Sequence, residues 1–415
     1  MKTVLLAWEL GEGLGHIGGL RLIAKELAAQ GWQPILALRD VSGTNAILKD
    51  DGFRVLQAPV LANPIPPEGR PFGPSGYADI LAIYGFSDAD ILGPMVAAWQ
   101  NLIDLVKPDL IVADHSPTLC LAAHGTVPVV IVGYGFTVPP CDLPEFPVLR
   151  AEVPPMASES QLLDVVNQVQ AHRDRPTLDR LPDLLRGSMR AVCTYPALDP
   201  YRRFRREPAI GPLEPVPDFA EPPEKPHLFA YLASDYKAID ELAVALGDLK
   251  IPVSVYIRGR PGAIRIFLRK RGVTVYDTPP SLGEVLPVSS VVLSHGGIGM
   301  VHAALAAGRP HIVAPRHMEA SLTAKSLQSL GIGVRMDVPA GGASMVGATL
   351  IDIMRQDSLA ERAAQMGSNL GAQPMADAMT KIVSYCNALF GTGASDDTSR
   401  IFNIANEMAA GGGHE

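Results

Sequence analysis

The sequence predicts an α/β fold in which two Rossmann-like domains each build a parallel sheet covered by helices. Three observations carry this prediction. Short aliphatic strands alternate with helices in both halves, a proline-rich segment separates the halves, and each half has a glycine turn between a strand and a helix. Such alternation is typical of parallel sheets with helices on both faces.

Length and composition agree with a globular protein of two domains joined by a linker. The chain has 415 residues, and a domain usually has ~150. Hydrophobic residues make up 47% and charged residues 19%, which excludes a wholly disordered chain. The net charge of -8 provides no basic surface for nucleic acid, so we expect no nucleic-acid partner.

The cysteines and the N-terminus indicate a cytoplasmic protein. No CxxC pair is present, so neither a zinc site nor a disulfide scaffold is indicated. The first apolar run is interrupted by Glu9 and is too short for a signal peptide or a transmembrane segment. We interpret it as the first buried strand. The cysteines are Cys120, Cys141, Cys193 and Cys386.

In the N-terminal half, strands and helices alternate from the start. We predict strands at Thr3–Trp8, Pro34–Leu38, Arg54–Leu56, Leu110–Ala113 and Pro128–Val132. We predict helices at Ile17–Ala29, Asn45–Asp50, Ile91–Val106 and Leu162–His172. The proline-rich segments Leu61–Gly76 and Tyr134–Pro155 are expected to be loops.

The segment Pro208–Pro226 is the predicted linker, because repeated prolines are incompatible with a helix interior or a central strand. We therefore expect an N-terminal domain at 1–207, a linker at 208–226, a C-terminal domain at 227–390 and a tail at 391–415. Beyond the linker, strands are predicted at His227–Leu232, Val253–Ile257 and Val273–Tyr276, and helices at Asp240–Leu246 and Leu359–Phe390.

The segment Val291–Gly333 has the pattern of a phosphate-binding unit. A buried strand, Val291–Leu293, precedes the turn His295–Gly299, and a helix begins at about Met300. Glycines let backbone N–H groups approach an anion, and the positive end of the helix dipole favours negative charge there.

The N-terminal turn Gly13–Gly18 also satisfies a phosphate-binding pattern, G-x-G-x-x-G between a strand and a helix. Asp40 ends the next strand, as a dinucleotide fold requires. An oxidoreductase that binds NAD(P) or FAD is therefore one alternative. The second phosphate turn at His295 argues against it, because a dehydrogenase has no need of that turn.

The stretch from Val291 resembles the donor-binding signature of family 1 glycosyltransferases with the GT-B fold. The matching parts are the His-Gly-Gly turn, a small-residue helix, a Gly-x-Pro and a Pro-x-x-x-acid loop. They lie at His295–Gly299, Ala303–Ala307, Gly308–Pro310 and Pro315–Ala320, and Cys193–Leu213 resembles the family's approach to its linker. The resemblance implies two Rossmann-like domains whose parallel sheets face an interdomain cleft.

The same resemblance implies an inverting enzyme. It would move a sugar from a UDP- or dTDP-sugar to a hydroxyl or amine of a small-molecule, lipid or peptide acceptor. No metal or other cofactor is implied, since the nucleotide sugar is a co-substrate. The motif Asp88-Ala89-Asp90 lacks a third ligand nearby, so we do not assign it to a metal.

His16 and Asp114 are the implied catalytic pair. An imidazole with an ordinary pKa near ~6.5 suits a general base, and Asp114 follows a buried strand at the edge where open α/β sheets bind ligands. Each residue taken alone is better explained as a helix cap. Together, and with a donor turn in the other half, they favour a base and the acid that orients it.

The remaining site residues are assigned to the donor or to the acceptor. The donor set is Ser234, Arg258, His295, Gly296, Gly297, Gly299, Met300 and Glu319. The acceptor set is Tyr84, Phe86, Tyr134 and Phe136, aromatics that are also compatible with a core.

Three positions depart from the family pattern. Met300 replaces a Ser or Thr and offers only its backbone N–H, Ala303 replaces the ribose-binding Glu of plant members, and Ala320 replaces the sugar-binding Gln. These departures motivate a third alternative, a non-catalytic GT-B-like accessory protein.

Overall fold

The computed structural model describes residues 2–11, 13–66, 73–339, 341–372, 375 and 377–391. They form two compact units. The first runs to Glu214 and includes the C-terminal helix, and the second runs from Pro215 to Met375. The division falls inside the predicted linker, where residues 208–226 form neither helix nor strand. The predicted tail lies outside the described residues from 392 onward.

The first unit contains a six-stranded parallel sheet in the order β3-β2-β1-β4-β5-β6. Its strands are β1 (Thr3–Trp8), β2 (Gln33–Leu38), β3 (Arg54–Gln57), β4 (Leu110–Asp114), β5 (Val129–Gly133) and β6 (Met189–Val192). The strand order reverses between β1 and β4, and in open α/β sheets ligands bind outside the carboxyl ends at such a switch point.

Helices in this unit connect the strands. They are α1 (Gly15–Ala29), α2 (Val41–Leu48), α3 (Tyr77–Leu81), α4 (Ala89–Val106), α5 (Pro117–Ala123) and α6 (Glu159–His172), with a π-helical turn at Ala82–Phe86. Four of these, α1, α2, α4 and α6, begin earlier than predicted. Side chains cap three of the four: Asp40 caps α2, Asp88 caps α4, and Ser158 forms a capping box on α6.

The second unit repeats the topology, with a six-stranded parallel sheet in the order β12-β11-β10-β7-β8-β9. Its strands are β7 (Leu228–Ala233), β8 (Val253–Arg258), β9 (Thr274–Tyr276), β10 (Val291–Ser294), β11 (His311–Val313) and β12 (Gly333–Arg335). The switch point lies between β7 and β10. The prediction of an α/β fold with two Rossmann-like parallel sheets is confirmed.

The helices of the second unit are α7 (Ile239–Asp248), α8 (Gly262–Lys270), α9 (Leu282–Val285), α10 (Ile298–Ala306), α11 (Met318–Leu330), α12 (Ala343–Met354) and α13 (Asp357–Ala372). Buried aliphatic residues of β7, β8 and β10 pack against α7 and α12, which forms the main core of this unit. The predicted helix at Leu359–Phe390 is interrupted.

The last described helix, α14 (Ala378–Gly391), belongs to the first unit, which corrects the predicted 227–390 domain. It packs against α1, β5 and β6, and its Ile382 and Cys386 are fully buried. Asn387 accepts a hydrogen bond from the Trp32 indole at 3.3 Å and donates one to Gln30 at 2.8 Å. The chain therefore returns to the first unit at α14.

Within the part of the chain that is described, no single helix has the length and apolar character to cross a membrane. One pair of helices, Tyr77–Phe86 with Ala89–Val106, meets those criteria jointly but is bent by 85°.

Candidate active site

His16 and Asp114 meet at the switch point of the first sheet. β1 and β4 pair in parallel with Trp8 opposite Asp114, so both chains leave the sheet at the same edge. His16 lies in the first turn of α1, and its Nδ1 is 2.9 Å from Oδ2 of Asp114. The two residues are 7% and 4% exposed. An ionised carboxylate only accepts hydrogen bonds, so Nδ1 carries the hydrogen and the tautomer leaves Nε2 without one.

Aromatic rings hold the imidazole of His16 in place. The Trp8 indole stacks on it with ring centroids 5.3 Å apart and planes 18° apart. His115 lies on another side at 6.0 Å and has a left-handed backbone with φ of 45°. Burial and the neighbouring His16 hold the pKa of His115 well below its usual range, so this ring adds no positive charge beside His16.

Glu9 ties the end of β1 to the start of α5. Its buried carboxylate accepts hydrogen bonds from the backbone N–H groups of Thr118 at 3.0 Å and Leu119 at 3.4 Å. The next residue, Leu10, donates to the carbonyl oxygen of His115 at 2.9 Å. These bonds join the segment after Trp8 to the segment after Asp114. Glu9 therefore helps to set the spacing of the histidine and its acid.

Glu214 is a carboxylate of this site that the sequence analysis missed. Its Oε1 lies 2.0 Å from the position that a Cβ at Gly18 would occupy, so it rests on the first turns of α1. Burial raises the pKa of Glu214 to about 7, and Asp114 adds to that rise while His16 opposes it. No sequence pattern links Glu214 to Gly18, because the contact depends on the tertiary fold.

The oxidoreductase alternative is not supported by this geometry. The third glycine of the G-x-G-x-x-G pattern, Gly18, allows close packing on α1, and here the carboxylate of Glu214 lies against it. Asp40, the acid at the end of the next strand, caps α2 by accepting from the Gly43 N–H at 2.7 Å and from the Ser42 hydroxyl at 3.0 Å. Both features have structural explanations.

In the second unit, His295 joins the ends of three adjacent strands. It follows β10, its Nδ1 donates to the carbonyl oxygen of Ala314 at 2.9 Å, and its Nε2 accepts from the N–H of Ala233 at 3.1 Å. Burial lowers the pKa of His295 to about 4. The imidazole is therefore neutral at physiological pH and positions the turn through backbone bonds.

The glycine turn itself is held by a buried polar chain. The Ser294 hydroxyl accepts from the Gly296 N–H at 3.0 Å and lies 2.7 Å from Nε2 of His311. Burial lowers the pKa of His311 to about 3, so its ring is neutral in this chain of polar contacts. Gly296 has φ of 79°, and a Cβ there would lie 2.8 Å from Val313, so only glycine fits.

Backbone donors are exposed where the turn enters α10. Gly297 is the N-cap of α10 and is exposed, and no side chain of the described residues caps the helix there. A Cβ at Gly297 would have nothing within 4 Å. The first N–H groups of α10, those of Ile298, Gly299 and Met300, lack intrahelical acceptors. The turn thus presents donors and the positive end of a helix dipole to open space.

Four other predicted donor residues lie near the same edge of this sheet. Ser234 follows β7, and its Oγ accepts from the N–H of Arg260 at 3.1 Å. Arg258 ends β8 and makes no ion pair with the described residues. Glu319 lies in the first turn of α11, and Met300 is 9% exposed.

The substitution of Ala at 320 has a packing explanation. The methyl group of Ala320 is fully buried and lies 3.3 Å from the position of a Cβ at Gly296. The side chain at this position faces the back of the glycine turn. A small side chain at 320 therefore fits the close packing behind Gly296.

The predicted acceptor aromatics differ in position. The Tyr134 hydroxyl donates to the carbonyl oxygen of Gly15 at 3.4 Å, beside His16. Phe136 is 6% exposed and packs on Tyr77 at 6.1 Å, and Tyr84 is partly exposed in the π-helical turn. Phe86 is fully buried, which fits the core alternative for this residue.

Among the described side chains, no group of three or more His, Cys, Asp or Glu residues is arranged to hold a metal ion. Asp88 of the Asp88-Ala89-Asp90 motif accepts from the N–H of Asp90 at 2.8 Å, which is a helix cap.

Comparisons with known proteins agree with this geometry. A domain model described as the C-terminal domain of erythromycin biosynthesis protein CIII-like proteins matches residues 271–389. The L-demethylnoviosyl transferase of Streptomyces niveus is 27% identical over 288 residues, which cover 66% of this chain and 69% of that protein.

Solved structures show the same fold over nearly the whole chain. The calicheamicin glycosyltransferase CalG4 has a TM-score of 0.66 at 18% identity and covers 95% of this chain and 99% of its own. The glycosyltransferase SsfS6 of Streptomyces sp. SF2575, complexed with thymidine diphosphate, has a TM-score of 0.56 at 18% identity and covers 92% of this chain and 100% of its own.

The fold is therefore GT-B, and the chain is a glycosyltransferase. Among glycosyltransferases it is similar to the family 1 enzymes that act in antibiotic biosynthesis.

Glu9 makes the stability of the fold depend on pH. Burial raises the pKa of Glu9 from 4.5 to about 7, so the folded chain holds this proton more tightly than the unfolded chain. The resulting stabilisation is complete below the ordinary pKa and is lost as the pH rises through about 7. Glu9→Gln keeps an acceptor for Thr118 and Leu119 and removes this titration.

We expect wild type to lose on the order of 3 kcal/mol of unfolding free energy relative to Glu9→Gln between about pH 5 and about pH 8. Thermal melts across that pH range measure this loss of stability. Glu26→Gln, an exposed charge change on α1, is the matched control and should follow wild type. Parallel curves for wild type and Glu9→Gln would contradict the assignment.

Proposed function

We propose that the chain moves a sugar from a nucleoside-diphosphate sugar to an acceptor hydroxyl or amine, with inversion at the anomeric carbon. The observation that carries this proposal is the 2.9 Å hydrogen bond between buried His16 and Asp114 at the switch point of the first sheet. A histidine oriented by an acid is the arrangement that general-base catalysis requires.

His16 is the general base in this proposal. The acceptor proton moves to Nε2, the acceptor oxygen or nitrogen attacks the anomeric carbon, and the bond from that carbon to the diphosphate oxygen breaks. The diphosphate leaves with the electron pair, and attack from the opposite face inverts the anomeric centre. Asp114 keeps the hydrogen on Nδ1 beforehand and stabilises the imidazolium afterwards.

The second unit supplies stabilisation of the departing diphosphate. The N–H groups from Gly297 to Met300 and the dipole of α10 favour the charge that develops on the leaving group. The Ser234 hydroxyl retains its own proton for donation, and Arg258 adds a cation. These groups can provide the positive potential without a metal. Met300 participates through its backbone N–H alone.

The donor and acceptor are proposed at the level of chemical class. The thymidine diphosphate of the similar SsfS6 complex supports a dTDP-sugar, with a UDP-sugar as the alternative. Glu319 is proposed to accept hydrogen bonds from sugar hydroxyls. The relatives named for antibiotics support a small-molecule acceptor over a lipid or a peptide, with Tyr134 closest to His16 among the predicted aromatics. We also propose that the reaction is cytoplasmic.

Removing the base or its orienting acid should reduce transfer. We expect His16→Ala and Asp114→Asn each to lower kcat by about 10²- to 10⁴-fold, because the first removes the base and the second its tautomer control. This reduction of kcat is measured from the rate of sugar transfer from dTDP- and UDP-sugars to a panel of phenolic, alcoholic and amine acceptors.

His172→Ala, at an exposed position on α6, is the matched histidine control and should retain wild-type turnover. Intact turnover in either site variant would remove the dyad from the mechanism. The accessory-protein alternative predicts no transfer by wild type with any donor.

A negatively charged side chain at position 297 tests whether the glycine turn binds the diphosphate. Its φ of -59° suits any residue, and the space for a Cβ is open, so Gly297→Glu should fold. We expect the carboxylate to abolish thermal stabilisation by nucleotide sugars, which for a ligand at ~100 Kd is ~2.7 kcal/mol. Gly297→Gln, equal in size and uncharged, should retain more of it.

The same thermal-shift assay includes NAD(P) and FAD as ligands. Unchanged stabilisation of Gly297→Glu by nucleotide sugars would exclude the turn as the diphosphate site. Stabilisation by dinucleotides alone would restore the oxidoreductase alternative.

A further inference from the structure

We propose that Glu214 is a positioning residue for His16, a second carboxylate that raises the proton affinity of the imidazole and so strengthens it as a base. This role rests on the proposed function of His16. It makes the base part of a group of three, with Asp114 bonded to Nδ1 and Glu214 acting through its charge.

Two consecutive glycines on α1 provide the space for this arrangement. A Cβ at Gly19 would lie 2.7 Å from Cδ2 of Leu213, and a Cβ at Gly18 would lie 2.0 Å from Oε1 of Glu214. The segment Leu213–Glu214 therefore lies directly on the first turns of α1. Glycine is unfavourable inside a helix by roughly 1 kcal/mol relative to alanine, so this close approach is a physical reason for the pair.

Glu214 is placed to act on His16 through the charge of its carboxylate, and it does not cap α1. It is partly exposed, and it forms no hydrogen bond or ion pair with the described residues that would neutralise it. Among those residues, the titratable groups that face it are His16 on α1 and Asp114 on β4. Asp114 disfavours ionisation of Glu214, and His16 favours it.

The interaction between Glu214 and His16 is reciprocal. A positive imidazolium stabilises the carboxylate, so the carboxylate stabilises the imidazolium by the same free energy. A base with higher proton affinity accepts the acceptor's proton more readily, and it is protonated over a wider range at low pH. Glu214 therefore shifts the acid limb of the pH profile upward.

The direct test is an NMR titration of the histidine side chains in the full chain, with His16 assigned from the signal that disappears in His16→Gln. We expect Glu214→Gln to lower the pKa of His16 by on the order of one pH unit. Glu26→Gln, which removes an exposed carboxylate from the same helix, is the matched control and should leave it unchanged.

Gly18→Ala is a second variant that tests the proposal if Glu214→Gln does not fold. Gly18→Ala meets only the flexible end of Glu214, so the helix should accommodate it while the carboxylate moves away. The pKa of His16 should fall in Gly18→Ala as well, and the double variant should match Glu214→Gln. A titration curve for His16 that is unchanged in both single variants overturns the proposal.

Activity separates this proposal from the proposed function. In Glu214→Gln, the acid limb of kcat/KM against pH should move to lower pH by the shift that NMR records. If transfer depends on His16 but neither the NMR curve nor the acid limb moves, the role of Glu214 is wrong and the function stands. If the NMR curve moves but His16→Ala retains transfer, the proposed function is wrong, and the catalytic role of Glu214 is overturned with it.

Discussion

The parallel pairing of β1 with β4 is the constraint on which the rest of the first site depends. This pairing sets Trp8 beside Asp114, so the turn that leads to His16 and the turn that follows Asp114 leave the sheet together. The carboxylate of Glu9, which follows β1, then accepts a hydrogen bond from the backbone N–H of Thr118 at the start of α5. The 2.9 Å contact between His16 and its acid follows from these backbone connections rather than from flexible side chains.

The second unit uses the same strand order for a different purpose. Its switch point contains a neutral histidine, His295, whose ring nitrogens bond to the N–H of Ala233, which ends β7, and to the carbonyl oxygen of Ala314, which follows β11. The ring thereby holds a glycine turn whose N–H groups are left for an anion. One topology thus provides an acid–base pair in the first unit and backbone donors at a helix N-terminus in the second.

The sequence predicted those features that depend on neighbouring residues. The bounds of β1 and the start of β4 follow from local strand patterns, whereas the pairing of His16 with Asp114 was implied by the family resemblance. α14 was assigned to the wrong unit, because an amphipathic pattern does not specify which core it covers. The sequence could not separate the acceptor and core alternatives for Phe86, because burial is a tertiary property. Glu214 was missed because Gly18 alone does not reveal what lies on it.

The central claim is that Asp114 keeps the hydrogen of His16 on Nδ1, so that Nε2 is the base. The ¹⁵N chemical shifts of the His16 ring, recorded above its pKa for wild type and Asp114→Asn, test this most directly. We expect a protonated Nδ1 and an unprotonated Nε2 in wild type, with the opposite tautomer gaining population in Asp114→Asn. A wild-type His16 protonated at Nε2 would contradict it.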